Sequence, residues 1–354
     1  MKGQLNEEAV LCTADKTYSL RLAESSNSCL LGSEAQPEQR GCTKYCCMTD
    51  NKLSTVIKLQ AFASAHLEIM RRTPRTGLLR TLLAICPYAG RGREQVAPSS
   101  PTKTGRRLTL EDLEDLVQAS TAELRAALRD ARAFCVDGGW CLLDTQLELD
   151  TMECVLALYV ERGWSLAALP TADCVTACLE QGTDGFDDLV VRHCLRTHST
   201  LAAAAWDEWV AAFDAPTHSI DSAAVCQFRA RVMLTDCDVW PKERFLEAWE
   251  ESLPPGIVLD ARQLDGLAVS LAPSDSLSVG EEFVQSLPLN SLPLAPKERL
   301  AALFKVKRAW VIHELAPYLG DILEPGKTAE ALVLQHARSV AATDGSVKYV
   351  SRKS

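Results

Sequence analysis

The stretch Leu110-Glu111-Asp112-Leu113-Glu114-Asp115-Leu116-Val117 sets the fold class, together with Ser120-Thr121-Ala122-Glu123 and Phe134-Cys135-Val136-Asp137-Gly138-Gly139-Trp140-Cys141-Leu142-Leu143. Leu110, Leu113, Leu116 and Val117 recur at helical spacing. Ser120 and Glu123 form a capping-box pattern that opens a second helix, with Leu124, Leu128 and Ala131 on one face. Asp-Gly-Gly between alternating apolar residues predicts a β-hairpin. Helix, helix, hairpin is the layout of a winged helix.

The layout recurs downstream. Met152 to Tyr159, Ala172 to Leu179 and Leu189 to Leu195 carry helical patterns. So do Ala223 to Leu234, Pro241 to Trp249 and Ala261 to Val269, before a strand-like Glu282-Phe283-Val284. In the last set Pro296 stands near a helix start, and Leu300, Leu303, Phe304, Trp310 and Val311 follow at helical spacing. Thr328 caps a helix carrying Ala331, Leu332 and His336, and Asp344-Gly345 turns into Val347-Lys348-Tyr349-Val350. The reading is α+β: tandem winged helices over 108–218, 219–290 and 291–354. They number three, or four with a helix at 71–84.

Upstream, the pattern changes to strands. Ala9-Val10-Leu11-Cys12 and Thr17 to Leu22 flank a polar turn, and Tyr18, Leu20 and Leu22 fall on one face. Cys29-Leu30-Leu31 and Val56-Ile57-Lys58-Leu59 read as short strands, and Gly32 to Asn51 as a long loop. So few strands bury a sheet poorly alone, so residues 1–62 are expected to need a partner or missing sequence. From about His66 the pattern reads helical, with Leu78, Leu79, Leu82 and Leu83 beside Arg71, Arg72, Arg75 and Arg80. Residues 63–107 thus form a basic helix and a linker, Pro87 to Gly105, rich in Pro, Gly, Ser and Arg.

At 354 residues the chain is long enough for two or three domains. Its 47% hydrophobic and 24% charged content excludes a collagen, a mostly disordered chain or a membrane channel. The N-terminus has no apolar h-region, so no secretory signal is expected. Fourteen cysteines, about 4% of the chain and without a C-x-x-C pair, read as small apolar core residues in a reducing compartment. The net charge of −10 hides segregation: residues 71–107 carry +8, 291–354 carry +4, 108–290 carry −21 and 1–70 carry −1. Basic segments flanking an acidic body can touch phosphates locally, although an uneven solvated surface explains the same numbers.

Motifs for chemistry fail one by one. Gly320 to Thr328 has five residues between its glycines where a phosphate loop needs four, so a helix stop and N-cap fits better. Cys42, Cys46, Cys47 and His66 match no zinc spacing. Cys174 and Cys178 fit core packing on a helix. His193 and His198, beside Arg192 and Arg196, lack a nucleophile. Glu111, Asp112, Glu114 and Asp115 read as a solvated face. No enzyme, metal or cofactor is expected. Candidate DNA-binding residues are Arg71, Arg72, Arg75, Arg80, Arg106, Arg107, Lys348, Arg352 and Lys353, which would touch phosphate without regard to sequence. Candidate partner-binding residues are Leu11, Tyr18, Leu20, Leu22 and Phe62.

Glu8-Ala9-Val10-Leu11-Cys12-Thr13-Ala14-Asp15-Lys16-Thr17-Tyr18-Ser19-Leu20-Arg21 resembles a stretch of the Dcc family of sister-chromatid cohesion proteins. Collinear matches continue at Arg71 to Pro74, Pro87 to Gly90, Thr109 to Leu113 and Gly138 to Trp140. Later ones are Phe245 to Trp249, Gln263 to Ala268 and Ala316 to Leu319. The resemblance implies a nuclear, non-catalytic subunit of the alternative replication-factor-C clamp loader dedicated to cohesion. In that family the N-terminal strands form a β-barrel with a small partner and the tail of the large ATPase subunit, which implies a partial β-barrel over residues 1–62. The following winged helices bind single- and double-stranded DNA. The assembly, with the replication factor C small subunits, contacts polymerase epsilon and acts on PCNA; no membrane is involved. Two departures stand out. The chain begins some way into the family's barrel, so early strands are expected to be absent. Thr73, Thr76 and Gly77 fall where the family helix is more basic, so weaker DNA binding there is expected. The rival reading is a winged-helix DNA-binding regulator acting alone.

Overall fold

The computed structural model describes residues 2, 8–34, 57–91, 106–181, 185–272, 281–341 and 345–352. The chain is mixed α+β and divides into two compact units, Met1–Arg72 and Thr73–Ser354.

The first unit is an antiparallel sheet of β1 (Val10–Cys12), β2 (Thr17–Glu34) and β3 (Ile57–Arg71), in that spatial order. It is not closed into a barrel among the described residues. The short strand expected at Cys29 lies within β2, which continues through Gly32 to Glu34 where a loop was expected, and the one expected at Val56 to Leu59 enters β3 at Ile57; Val56 and the rest of the expected loop lie outside the described residues. A register irregularity between Glu24 and Cys29 breaks the side-chain alternation along β2, which is why one strand reads as two. The helix expected from His66 is a correction: β3 runs through to Arg71, where Leu67 and Ile69 alternate with His66, Glu68 and Met70.

The second unit is built of successive groups of helices, each with a small sheet. Its first group holds α1 (Gly77–Ala84), α2 (Leu110–Leu116) and α3 (Thr121–Asp130), then the hairpin β4 (Phe134–Val136) and β5 (Gly139–Cys141). Thr109 and Ser120 each close a capping box. Asp137 and Gly138 take φ of 52° and 79°, the left-handed pair that a tight hairpin turn requires. Leu108 bridges to Trp140 and extends the hairpin by a third short segment. Leu79, Leu83, Leu113, Leu124 and Leu128 fill the core.

The second group has α4 (Thr145–Arg162), β6 (Leu169–Pro170), α5 (Thr171–Glu180), α6 (Asp188–Thr197), α7 (Trp206–Ala211) and β7 (Thr217–His218). The third has α8 (Ser222–Asp236), β8 (Val239–Pro241), α9 (Lys242–Ser252), β9 (Ala268–Leu271) and β10 (Phe283–Ser286), with strand order β8-β10-β9. The fourth has α10 (Pro296–Val306), β11 (Ala309–Trp310), α11 (Ile312–Leu315), α12 (Ala329–His336), β12 (Ala337–Ala341) and β13 (Val347–Ser351). Its strand order is β11-β13-β12. Two expected helices are corrected. Ala261 to Leu264 is a single 3-10 turn before β9, and Trp310 lies in β11. The 3-10 turn is pinned by Asp260, which accepts from the Arg262 amide.

The second and third groups share one core, with Trp249 and Phe245 at its centre. Trp249 is fully buried and its Nε1–H donates to the Cys226 carbonyl at 2.9 Å, from α9 to α8. Cys174 and Cys178 are fully buried here, and burial pushes the Cys174 thiol up to about 12. The fourth group packs around Trp310, Leu303 and Tyr318. Arg299, counted in sequence among the basic residues, is buried. It donates to the carbonyls of Pro293 (2.6 Å) and Tyr318 (3.0 Å) and pairs with Asp321.

One ion node ties three groups together. Glu148 of α4 accepts from Arg231 of α8 at 2.7 Å and from Arg132 at 3.4 Å. Arg132 follows α3 in a left-handed conformation, φ 56°. His198, fully buried at the end of α6, lies 3.7 Å from the same oxygen. Burial opposes ionisation of Glu148, but the adjacent guanidiniums outweigh it and hold the carboxyl at about 2. Burial, then Arg132, lowers His198 to about 3, so this ring is neutral and the two arginines carry the pairing.

Two outcomes are expected. Trp249→Ala should cost about 3–5 kcal/mol, read from denaturant unfolding, because it opens a cavity and removes the hydrogen bond to the Cys226 carbonyl. Acid should also destabilise the second unit. The folded state takes up protons later than the unfolded chain at His198, at His218 (lowered to about 4, mainly by burial) and at Glu148. Stability is therefore full above the ordinary histidine value. It falls as pH drops through the histidine range, and again between the ordinary glutamate value and about 2. Glu148→Gln should lower stability at neutral pH by about 3 kcal/mol, since two cations lose their partner. It should also remove the more acidic part of the profile and leave the histidine part.

Candidate functional site

The ribbon of β2 and β3 presents two unlike faces. Pairing sets Leu11 opposite Tyr18, Leu20 opposite Ile69, and Leu22 opposite Leu67, so these six side chains share one face. The opposite face carries Ser19, Arg21, His66, Glu68 and Met70. Beyond the irregularity, Leu30 pairs with Phe62. Leu22, Leu30, Phe62, Leu67 and Ile69 are 62%, 69%, 73%, 60% and 55% exposed. Leu11, Tyr18 and Leu20 are half-buried. Side chains of this type are normally covered, and a contiguous run of them marks an interaction surface. The backbone is open as well. Among the described residues no strand pairs with β2 beyond Ser19 on its β1 side, nor with the outer edge of β3. All five sequence-predicted partner residues therefore fall on this ribbon or on the adjoining β1. Leu67 and Ile69 were missed because that segment read as a helix.

The basic candidates are dispersed, and the helix expected to carry four of them carries one. Arg71 closes β3 and is exposed. Arg72 follows it and pairs with Glu8 at 2.8 Å. Arg75 lies in exposed coil before α1 and donates its backbone N–H to the Gln118 carbonyl at 3.1 Å. Arg80 is on α1, and its guanidinium donates to the Asp130 carbonyl at 2.9 Å. Arg106 pairs with Asp112 at 2.8 Å. Arg107 sets its guanidinium 5.3 Å over the Tyr88 ring. Arg352 donates to the carbonyls of Leu334 (2.5 Å) and Ala337 (3.1 Å), so it caps the end of α12. Lys348 is half-buried on β13, beside Val340 of β12. Lys353 lies outside the described residues, as do Cys42, Cys46 and Cys47.

His66 of the candidate zinc set is exposed on β3, and among the described residues no three His, Cys, Asp or Glu side chains gather as metal ligands. Thr328 caps α12 by accepting from the Ala331 amide, in keeping with a helix start at the imperfect phosphate loop. His193 and His198 are both buried. His193 stacks on Phe134 at 4.4 Å and accepts from Arg196 at 3.0 Å, and burial lowers its affinity for a proton.

A family described as sister chromatid cohesion protein Dcc1 matches residues 1–319. Relatives named sister chromatid cohesion protein DCC1 include one from Danio rerio, 28% identical over the whole chain and 84% of its own length. One from Homo sapiens is 28% identical over the whole chain and 83% of its length. A probable DCC1 from Dictyostelium discoideum is 25% identical over 99% of this chain and 88% of its own. Cohesion proteins of animals and a slime mould thus align from one end of this sequence to the other, and the chain belongs to the Dcc1 family.

Proposed function

We propose that this protein acts in sister chromatid cohesion as a non-catalytic, nuclear subunit of an alternative replication-factor-C clamp loader. The bare apolar ribbon carries the reading. Among the described residues this sheet has one polar and one apolar face, and no further strand covers the apolar face or extends the β3 edge. A small cohesion subunit and the tail of the large ATPase subunit would supply those strands and close a barrel on the face of Tyr18, Leu20 and Leu22. The nucleotide chemistry would reside in the ATPase subunits, and the assembly would act on PCNA and contact polymerase epsilon.

The same proposal assigns the second unit to tandem winged helices, and its topology supports this. In the third and fourth groups the strand after the first helix pairs with the last strand, and the middle strand lies outside, giving β8-β10-β9 and β11-β13-β12. The first group follows the rule through the Leu108 bridge to Trp140. DNA would be held through its phosphates and with modest strength, because several basic candidates already serve protein partners. That dispersal favours the complex over a regulator that binds DNA alone.

Co-expression with the small subunit and the large-subunit tail should give a 1:1:1 species by size-exclusion chromatography with mass detection. Leu22→Asp with Phe62→Asp should release this chain from it without melting the second unit. Assembly by the double variant would remove the ribbon as the docking surface. In DNA binding, Arg71→Glu with Arg75→Glu should lower affinity and flatten the salt slope by about one unit for each phosphate no longer neutralised. Arg352→Gln should instead destabilise α12 and leave the slope unchanged.

A further inference from the structure

Thr73 is the first residue of the second unit, and residues 72–75 are a short coil that leads into α1. The coil is anchored through its backbone at the two ends. The Arg72 N–H donates to the Thr17 carbonyl at 3.0 Å, and the Arg75 N–H to the Gln118 carbonyl at 3.1 Å. Thr73 and Pro74, between them, make no backbone hydrogen bond among the described residues. A side chain holds this middle part instead. Thr73 Oγ1 donates to the Leu323 carbonyl at 2.6 Å, 250 residues away in the fourth group. One turn on, Gly77 opens α1 against the same group, where a Cβ would stand 2.3 Å from Cδ2 of Leu294. One hydroxyl proton thus latches the start of the first group to the fourth.

The same threonine precedes a proline, with Arg71 and Arg75 exposed on either side. Pro74 keeps Thr73 out of the helical region and in extended backbone, and it brings no N–H that could tie the step into the fold. A Thr-Pro step in extended backbone is the form in which proline-directed kinases take a hydroxyl. Thr73 is half-buried, so the hydroxyl must first leave Leu323. That requires local opening of a four-residue coil rather than unfolding of a group. We propose that Thr73 is a phosphorylation site for a proline-directed kinase, and that phosphorylation releases the latch to the fourth group. In the transfer, Thr73 Oγ1 forms a bond to the γ-phosphorus of a nucleoside triphosphate. The bond from that phosphorus to the bridging oxygen breaks, and its electron pair leaves with the nucleoside diphosphate. The hydroxyl proton passes to the carboxylate base of the kinase. The product has no proton on Oγ1 to give to Leu323, and the carbonyl there repels a dianion, as does the exposed Glu324 next to it. Arg71 and Arg75 lie two residues to either side, where guanidiniums favour the phosphate turned outward.

The sequence holds one other Ser/Thr-Pro step, Ser100-Pro101, so the test uses the whole chain carrying Ser100→Ala. It is incubated with a cyclin-dependent kinase and magnesium ATP, then read by intact mass and peptide mapping. One phosphoryl group should appear, on Thr73. Thr73→Val should take none and Thr73→Ser should take one. Pro74→Ala should slow the initial rate about tenfold or more, since the kinase loses the contact that selects the step. The latch is read by hydrogen exchange at the amides of Leu79, Leu319 and Ile322, which donate to the carbonyls of Thr76, Ala316 and Leu319 beside the contact. They should exchange up to about tenfold faster in the phosphorylated chain, as expected for one lost hydrogen bond. Thr73→Val, which lacks the donor and the charge, should move them in the same direction, and Thr73→Ser should leave them as in the parent. No phosphate on Thr73, or an initial rate unchanged in Pro74→Ala, would overturn the site. A phosphorylated Thr73 with exchange unchanged at Leu319 and Ile322 would overturn the latch.

Discussion

A single carboxylate, Glu148, holds the second unit in register. Apolar packing already joins the groups, since the second and third share one core, but it is non-directional. What fixes one group against the next is the demand of a half-buried charge for particular partners. Arg132 arrives from the first group and Arg231 from the third, and both reach one oxygen of a residue in the second. Losing Glu148 leaves two guanidiniums without their carboxylate, which costs more than losing an ordinary surface pair. Tyr318 makes a smaller version of the same link, donating to the Ala268 carbonyl at 3.0 Å and joining the fourth group to the third.

The first unit is built on the opposite principle. Its strands are paired through long backbone ladders, yet the apolar face of Leu20, Leu22, Leu67 and Ile69 has no second layer among the described residues. Hydrogen bonds fix the shape of the ribbon without supplying the burial that normally makes a sheet stable by itself. The two units thus differ: one buries its apolar side chains in shared cores, and the other leaves an apolar face bare among the described residues.

Much of this was legible in the sequence where a residue acts on its neighbours. Ser120 with Glu123, and Asp137 with Gly138, announce their structures because a cap and a tight turn are settled within four residues. Pro296 and Thr328 mark helix starts for the same reason. Reading failed where spacing was ambiguous. Trp310 follows Leu303 by seven residues and continues a helical stripe on paper, but α10 ends at Val306 and the tryptophan belongs to a strand. Long-range pairing was out of reach altogether. Arg72 with Glu8, Arg352 with the end of α12, and the Arg132, Glu148, His198 and Arg231 cluster each look like ordinary polar residues until the chain folds. Of the candidate site, the apolar face of β2 was visible by alternation, and on β3 Phe62 was named while Leu67 and Ile69 were not.

The bare ribbon has a consequence for how much of this protein a cell can keep. An uncovered apolar edge is what chaperones hold and what degradation machinery samples. If partners close the ribbon, molecules made in excess of those partners stay uncovered and are removed. Abundance would then be set by the scarcest member of the assembly, and a change in dosage of this gene alone would be buffered at the protein level.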